Sequence, residues 1–189
     1  YFGIGAKDPD SKPKFEYRTE VFRLDEELLR KALKLSANAP LADSDKARAY
    51  RARYPQPTAK ARPSVLQCDT AAGDTYWHGK YLGETATRWV SLVTDGQGRY
   101  CTTQQEDNAT YEAMKRGAGA GLLDLKRVAV LRTASNFDRP HPGQTAYASL
   151  SAESGGFPIS TANLLIAGRP LVDAIVGNWA AWSAGVPAD

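Results

Sequence analysis

The sequence has few of the residues on which metal and redox sites depend. It holds two cysteines and two histidines among 189 residues, with no Cys-x-x-Cys or Cys/His spacing. No metal site is expected, because a structural zinc ion needs four such ligands. Strong charge of one sign is also missing: the net charge is +3, and lysine and arginine are scattered among acidic residues. No nucleic-acid partner is therefore expected, since such binding requires a basic stripe.

Long apolar runs are scarce as well. No stretch approaches the roughly 18–20 apolar residues that a membrane-spanning helix needs, so no membrane span is expected. The chain starts at Tyr1 with neither a methionine nor a recognisable signal peptide, and we interpret this start as a processed or truncated end. The composition, 42% hydrophobic and 24% charged, is ordinary for a globular domain.

The two cysteines leave three roles open: a disulfide, two free thiols, or a part in chemistry. Cys68 and Cys101 each follow a short β-like run, so neighbouring strands would allow a bridge between them. A disulfide would require an exported protein.

Apolar periodicity and turn residues predict alternating strands and helices. Helices are predicted over 25–37, 44–54, 80–93 and 105–117, and a last apolar helical region runs from 160 through Trp182 with an interruption near 168–170. Strands are predicted over 64–68, 100–103 and 126–135, with a strand or extended segment at 17–23 and a connector at 55–63. This order predicts an α/β fold without an internal domain boundary.

Polar side chains follow three of the predicted strands. They occupy residues 73–78, 102–108 and 132–140. If the strands lie side by side, their carboxyl ends converge and these clusters line one pocket. The alternative for the 132–140 cluster is an ordinary turn, because Asn, Asp and Ser are common turn residues.

Individual residues in these clusters suit a nucleoside, and each also has a simpler interpretation. Tyr76 or Trp77 offers a flat face for stacking on a base, although either ring can equally serve packing. Glu106 lies near a helix start, where its carboxylate would accept two sugar hydroxyls. A carboxylate at that position is also stabilised by the helix dipole without any ligand.

Three motifs resemble the purine nucleoside permease family, within the nucleoside phosphorylase and nucleosidase superfamily. They are Cys-Asp-Thr at 68–70, Cys-Thr-Thr-Gln-Gln-Glu-Asp-Asn-Ala-Thr at 101–110 and Arg-Thr-Ala-Ser-Asn-Phe-Asp-Arg-Pro at 132–140. The resemblance implies a three-layer α/β/α architecture with a central mixed sheet. It also implies that residues 1–189 are the C-terminal part of a single nucleoside phosphorylase-like domain, whose N-terminal part is missing from this chain.

The resemblance also implies roles for single residues. Tyr76 takes the place of the aromatic ring that stacks on the purine, with Trp77 beside it. Glu106 takes the place of the carboxylate that holds the ribose 2′- and 3′-hydroxyls, with Gln105 next to it.

The purine edge belongs to the third motif. Asn136 stands, with Ser135 before it, where many superfamily enzymes carry an aspartate that contacts purine N7. An amide cannot protonate a leaving base, but it donates and accepts hydrogen bonds. Asp138, two residues further on, is the alternative source of the missing acid. We favour Asn136 as the residue that contacts the base, with Asp138 behind it.

Two functions follow from this resemblance. The first is cleavage of the N-glycosidic bond of a purine nucleoside, expected to be a 6-oxopurine nucleoside, by phosphate or by water. That reaction needs no cofactor beyond phosphate as a co-substrate. The alternative is a non-catalytic, extracytoplasmic nucleoside-binding protein that assists uptake. Both imply a periplasmic or secreted protein, a homo-oligomer, and an N-terminal part of the same protein as partner.

Overall fold

The computed structural model describes residues 3–188. In chain order its helices are α1 (Glu26–Ser36), α2 (Asp45–Arg51), α3 (Pro57–Lys60), α4 (Lys80–Val93), α5 (Asp107–Gly119), α6 (Ala146–Leu150), α7 (Gly156–Gly177) and α8 (Trp179–Trp182). The strands are β1 (Asp69–Ala72) and β2 (Tyr100–Gln104), and a 3-10 turn spans Leu125–Arg127. These elements form two compact units. The first unit holds the described residues through Arg23 together with Cys68–Leu125, and the second holds Leu24–Gln67 and Lys126 onwards.

The first unit is built around a parallel pair of strands joined by a helix. β1 and β2 pair in parallel from Asp69↔Tyr100 to Ala72↔Gln104, and α4 connects them. α5 follows β2, and its Tyr111 is buried with its hydroxyl donating to the Arg23 carbonyl at 3.1 Å. The predicted helix at 80–93 and the predicted strand at 100–103 are confirmed.

The second unit is helical, and its longest helix is tied to other elements by buried polar contacts. The Ser36 hydroxyl at the end of α1 donates to the Ala167 carbonyl of α7 at 2.7 Å. Asn163 of α7 holds both backbone groups of Ala42, accepting from its N–H at 2.7 Å and donating to its carbonyl at 3.0 Å. These contacts fix the segment that leads into α2 against α7.

Local capping signals explain why the first two helices form where the sequence predicts them. The Asp25 carboxylate accepts from the Leu28 N–H at 2.8 Å, and the Ser44 hydroxyl accepts from the Ala47 N–H at 3.2 Å. Each cap satisfies a backbone donor that the helix leaves unpaired. The helices predicted at 25–37 and 44–54 are therefore confirmed as α1 and α2, and the one predicted at 105–117 as α5.

Two strand predictions are wrong in place or in kind. The strand predicted at 64–68 lies further along, because pairing with β2 starts where the Asp69 N–H bonds to the Arg99 carbonyl at 2.8 Å. The strand predicted at 126–135 does not form: a 3-10 turn is followed by irregular backbone. A strand needs a partner for its backbone groups, and β1 and β2 pair with each other. The 17–23 segment also forms no strand, and Arg18 within it has φ +56°.

α7 corrects two further expectations. The interruption predicted near 168–170 is absent, and the helix continues through Pro170 for 22 residues. The expectation that no apolar segment is long enough to span a membrane is also corrected. Among the described residues α7 is long and apolar enough to cross a membrane, by length and composition only. The three-layer architecture with a central mixed sheet stays a prediction, as does the single domain.

Candidate functional site

The second unit contains a cavity of about 600 Å³. Its walls come from Ser44 and Lys46 at the start of α2, from Ser135 and Asn136, and from the 152–159 segment that leads into α7. The volume lies within the range usual for small-molecule sites. Two of the residues predicted to bind substrate, Ser135 and Asn136, therefore lie in the wall of a cavity.

Two adjacent glycines allow the Ser135–Asn136 segment to approach α7. Gly155 has φ +76°, a left-handed conformation that glycine adopts without steric cost. At Gly156 a Cβ atom would lie 2.1 Å from the Ser135 carbonyl oxygen, which no side chain tolerates. The Ser154 hydroxyl donates to the same carbonyl at 3.3 Å. The cavity wall thus depends on the backbone of Ser135 lying directly against the first turn of α7.

Aromatic packing anchors the chain on the other side of Asn136. Phe137 stacks on Tyr54 with ring centroids 4.0 Å apart and planes inclined by 19°. Tyr54 is 4% exposed, and its hydroxyl donates to the Arg139 carbonyl at 2.8 Å. Burial raises the pKa of Tyr54 above its ordinary value, so the hydroxyl stays a donor at neutral pH. Asn136 therefore lies between two fixed neighbours. Phe137 is held by its stack on Tyr54, and the backbone of Ser135 is in contact with Gly156.

The charges at the cavity form an ion pair. Lys46 Nζ lies 2.8 Å from Glu153 Oε2, and both side chains are largely exposed. The hydrogen bond from Lys46 lowers the pKa of Glu153, which keeps this carboxylate ionised at neutral pH. The Ser135 hydroxyl donates to Asn136 Oδ1 at 3.0 Å. The lining therefore offers an amide, hydroxyls and an ionised carboxylate, which suits recognition of a polar heterocycle by hydrogen bonds.

Asp138 does not join this cavity. Both of its carboxylate oxygens accept from Arg139, at 2.8 and 3.0 Å, and the cavity lining does not include it. Because Arg139 engages both oxygens and the side chain lies outside the lining, Asp138 is not placed to contact a ligand in this cavity. Its predicted position behind Asn136 stays a prediction.

The other predicted site residues lie in the first unit, where two of the strand-end clusters meet. Gln105 Nε2 donates to the Asp74 carbonyl at 2.8 Å, which ties the 102–108 cluster to the 73–78 cluster. Tyr76 is 59% exposed and Glu106 is also exposed, so solvent reaches both side chains. Trp77 is half-buried.

Sequence reasoning missed two residues of this group. Gln104 Oε1 accepts from the N–H groups of Glu106 and Asp107, at 2.6 and 2.7 Å, and thereby caps α5. In the part of the chain that the structure describes, Trp77 Nε1, Gln104 Nε2 and Asn108 Oδ1 are buried without a hydrogen-bond partner. Buried polar atoms of this kind need a partner. The only sequence signal for them was the motif at 101–110.

The structure thus has a parallel strand pair with polar strand ends in one unit, and a cavity among helices in the other. A family model described as purine nucleoside permease matches residues 1–187, and the chain belongs to that family. A protein of Schizosaccharomyces pombe, named "Probable purine nucleoside permease", is 39% identical over 176 residues, which cover 93% of this chain and 50% of that protein. No solved structure matches.

A second relative shows the same coverage. The protein of Candida albicans named "Purine nucleoside permease" is 38% identical over 181 residues, covering 95% of this chain and 45% of its own length. The chain therefore spans about half the length of the curated relatives it matches.

Proposed function

We propose that this chain supplies a purine nucleoside-binding part of a nucleoside permease, a protein that binds nucleosides and assists their uptake. The observation that carries the proposal is the cavity of about 600 Å³ whose wall includes Ser135 and Asn136. Those two residues belong to the family-like motif at 132–140, and the family model covers them. The names of the two relatives support the same role.

The amide of Asn136 favours a 6-oxopurine as the base. A carboxamide donates from its nitrogen and accepts at its oxygen, so it can donate to N7 or O6 and accept from N1–H. An aspartate in its place would accept only, unless protonated. We therefore propose inosine or guanosine as the ligand class of this cavity. The ligand-binding roles of Tyr76, Trp77, Gln105 and Glu106 stay predictions from the sequence.

In this proposal, another part of the full-length protein is needed to complete the functional molecule. The relatives are about twice as long as the part that this chain matches. Val130 and Leu131, in the segment where no strand forms, are 37% and 40% exposed. Covering such apolar residues is favourable, and the segment has the β-like composition that another strand could pair with. Uptake also requires that the protein meet its ligand outside the cytoplasm, in the periplasm or as a secreted protein.

The cavity chemistry supports binding better than cleavage of the glycosidic bond. Cleavage requires stabilisation of the leaving purine, usually by a proton donor. Asn136 cannot supply a proton, and Glu153 is held ionised by Lys46. Phosphorolysis or hydrolysis is therefore the outcome that the experiment must separate from binding.

The test incubates the full-length protein with inosine, with and without phosphate. We expect saturable binding by calorimetry and recovery of intact inosine by chromatography. Free hypoxanthine in either tube would show an enzyme, and its dependence on phosphate would separate phosphorolysis from hydrolysis. Absence of binding with no product would contradict both functions.

A substitution at the base contact tests ligand choice. Asn136→Asp is expected to weaken inosine relative to adenosine by about tenfold, because one buried hydrogen bond is worth roughly 0.5–1.5 kcal/mol and its loss leaves a polar group unpaired. Asn38→Asp, at an exposed asparagine outside the cavity, is the matched control. An unchanged ratio of inosine to adenosine affinity in the Asn136 variant would refute this role.

A further inference from the structure

The two cysteines of the first unit lie near the start of its two paired strands. Cys68 directly precedes β1, Cys101 is the second residue of β2, and both are free thiols. β1 and β2 run in parallel with Asp69 opposite Tyr100. Cys68 immediately precedes Asp69 and Cys101 immediately follows Tyr100, so both cysteines adjoin the first residue pair of the ladder. The fold thus brings together two thiols that stand 33 positions apart in the sequence.

An irregularity in the pairing places Cys101 at this contact. The register shifts between Asp69 and Thr70, so Tyr100 and Thr102 have partners in β1 and Cys101 is the residue passed over between them. A bulge of this kind redirects the side chain of the extra residue. Interaction with the Cys101 thiol contributes to the raised pKa of Cys68, so the two thiols are close enough to affect each other.

The surroundings keep Cys68 protonated until a partner reacts. Burial raises the pKa of Cys68 to about 12, and the hydrogen bond with Cys101 acts in the same direction. A protonated thiol is a poor nucleophile, so Cys68 does not attack an external oxidant at neutral pH. Attack by Cys68 on a mixed disulfide at Cys101 also requires loss of that proton as the new S–S bond forms.

We propose that Cys68 and Cys101 form a reversible disulfide that fastens the start of β1 to β2, with a low-molecular-weight disulfide such as oxidised glutathione as the oxidant. The Cys101 sulfur attacks one sulfur of oxidised glutathione and forms a mixed disulfide with it. The glutathione S–S bond breaks, and the departing glutathione takes up the Cys101 proton. The Cys68 sulfur then attacks the Cys101 sulfur, and its proton goes to the second departing glutathione. The two protein thiols lose two electrons and two protons, and oxidised glutathione becomes two reduced molecules.

This bond would stabilise the strand pair at the end opposite the polar loops. It closes a loop of 33 residues, which restricts the unfolded chain. For a protein of this size we expect the oxidised form to melt about 5–10 °C above the reduced form. The inference does not depend on nucleoside binding.

The test equilibrates the full-length protein with defined ratios of reduced to oxidised glutathione, quenches it with an alkylating agent and maps its tryptic peptides. We expect the alkylated forms of Cys68 and Cys101 to disappear together as the oxidised share rises. A linked pair of peptides, 61–80 with 100–115, should appear with two hydrogens fewer than the sum of its parts. Because this measurement uses the unaltered protein, it does not depend on a variant that folds.

Serine variants and the melting temperature complete the experiment. Cys68→Ser and Cys101→Ser should each abolish the linked pair and the rise in Tm. Full alkylation of both residues at every ratio would overturn the proposal, and so would separate glutathione adducts on both without a linked pair. A linked pair that leaves Tm unchanged would overturn the fastening role.

Discussion

Tyr54 offers a direct measure of how far aromatic packing supports the cavity wall. Its ring is 4% exposed and stacks on Phe137, and its hydroxyl bonds to the Arg139 carbonyl. Tyr54→Leu removes about half of a buried aromatic side chain. Because truncation of an aromatic residue to alanine costs about 3–5 kcal/mol, we expect about 2–3 kcal/mol. The stack contributes about 0.5–1.5 kcal/mol and the hydrogen bond a similar amount. Tyr54→Phe keeps the ring, so its cost should be about 1 kcal/mol.

Urea unfolding followed by tryptophan fluorescence measures these free energies, and calorimetric titration with inosine measures the ligand site. We expect Tyr54→Leu to weaken inosine binding severalfold, because Phe137 adjoins Asn136 and loses its stacking partner. Tyr54→Phe should bind within about twofold of the unaltered protein. Tyr147→Leu, at a tyrosine that is 80% exposed, is the control and should change stability by less than about 0.5 kcal/mol.

One result would refute this reasoning. If Tyr54→Leu lost several kcal/mol of stability but bound inosine like the unaltered protein, the aromatic stack would support the fold without positioning Asn136. Equal costs for the Phe and Leu variants would show that the hydroxyl, and not the ring, dominates.

Two further predictions concern the frame of the cavity. The Asp43 carboxylate is 2% exposed and accepts two hydrogen bonds from Arg51, which lower its pKa below the ordinary value. Its stabilisation is therefore present above the unfolded-state pKa and is lost as pH falls through the folded-state value. In urea unfolding, Asp43→Asn should lower the free energy of unfolding by about 3 kcal/mol at pH 7 and by progressively less below pH 4. A loss of stability that does not change with pH would contradict this. Gly156→Ala should lower the free energy of unfolding by about 2 kcal/mol and weaken inosine binding, because the new Cβ atom meets the Ser135 carbonyl. Gly177→Ala, which has open space around it, is the control and should leave stability and binding unchanged. Equal effects of the two substitutions would contradict the contact.

Helices with strong local signals could be predicted from the sequence. α1 begins after Asp25 because a carboxylate there satisfies a free N–H, and α4 matches the predicted bounds at both ends. Such signals act within a few residues, so they need no knowledge of the rest of the fold.

Elements that depend on distant partners could not be predicted in the same way. The apolar run after Arg127 has strand composition, but a strand also requires a neighbour, and composition does not reveal one. Pro170 indicates a break, yet α7 continues through it, held in place by contacts such as Ser36 with Ala167. Tertiary packing overrides the local preference there.

The residues of the candidate site also differ in whether local sequence could predict them. Asn136 and Ser135 could be found from their motif, because a motif is contiguous in sequence. The opposite wall could not: Lys46 lines the cavity only through folding, the Gly156 contact with Ser135 also forms only through folding, and no local pattern marks either residue. The ion pair between Lys46 and Glu153 spans 107 positions.

The most direct test of the central claim is a calorimetric titration of the full-length protein with inosine, comparing the unaltered protein with Asn136→Leu. A leucine of similar size removes the amide but keeps the volume of the wall. We predict saturable one-site binding for the unaltered protein and at least a tenfold loss of affinity in the variant, with Tm within about 2 °C. Equal affinity for inosine in the two proteins would contradict the assignment of this cavity as the purine site.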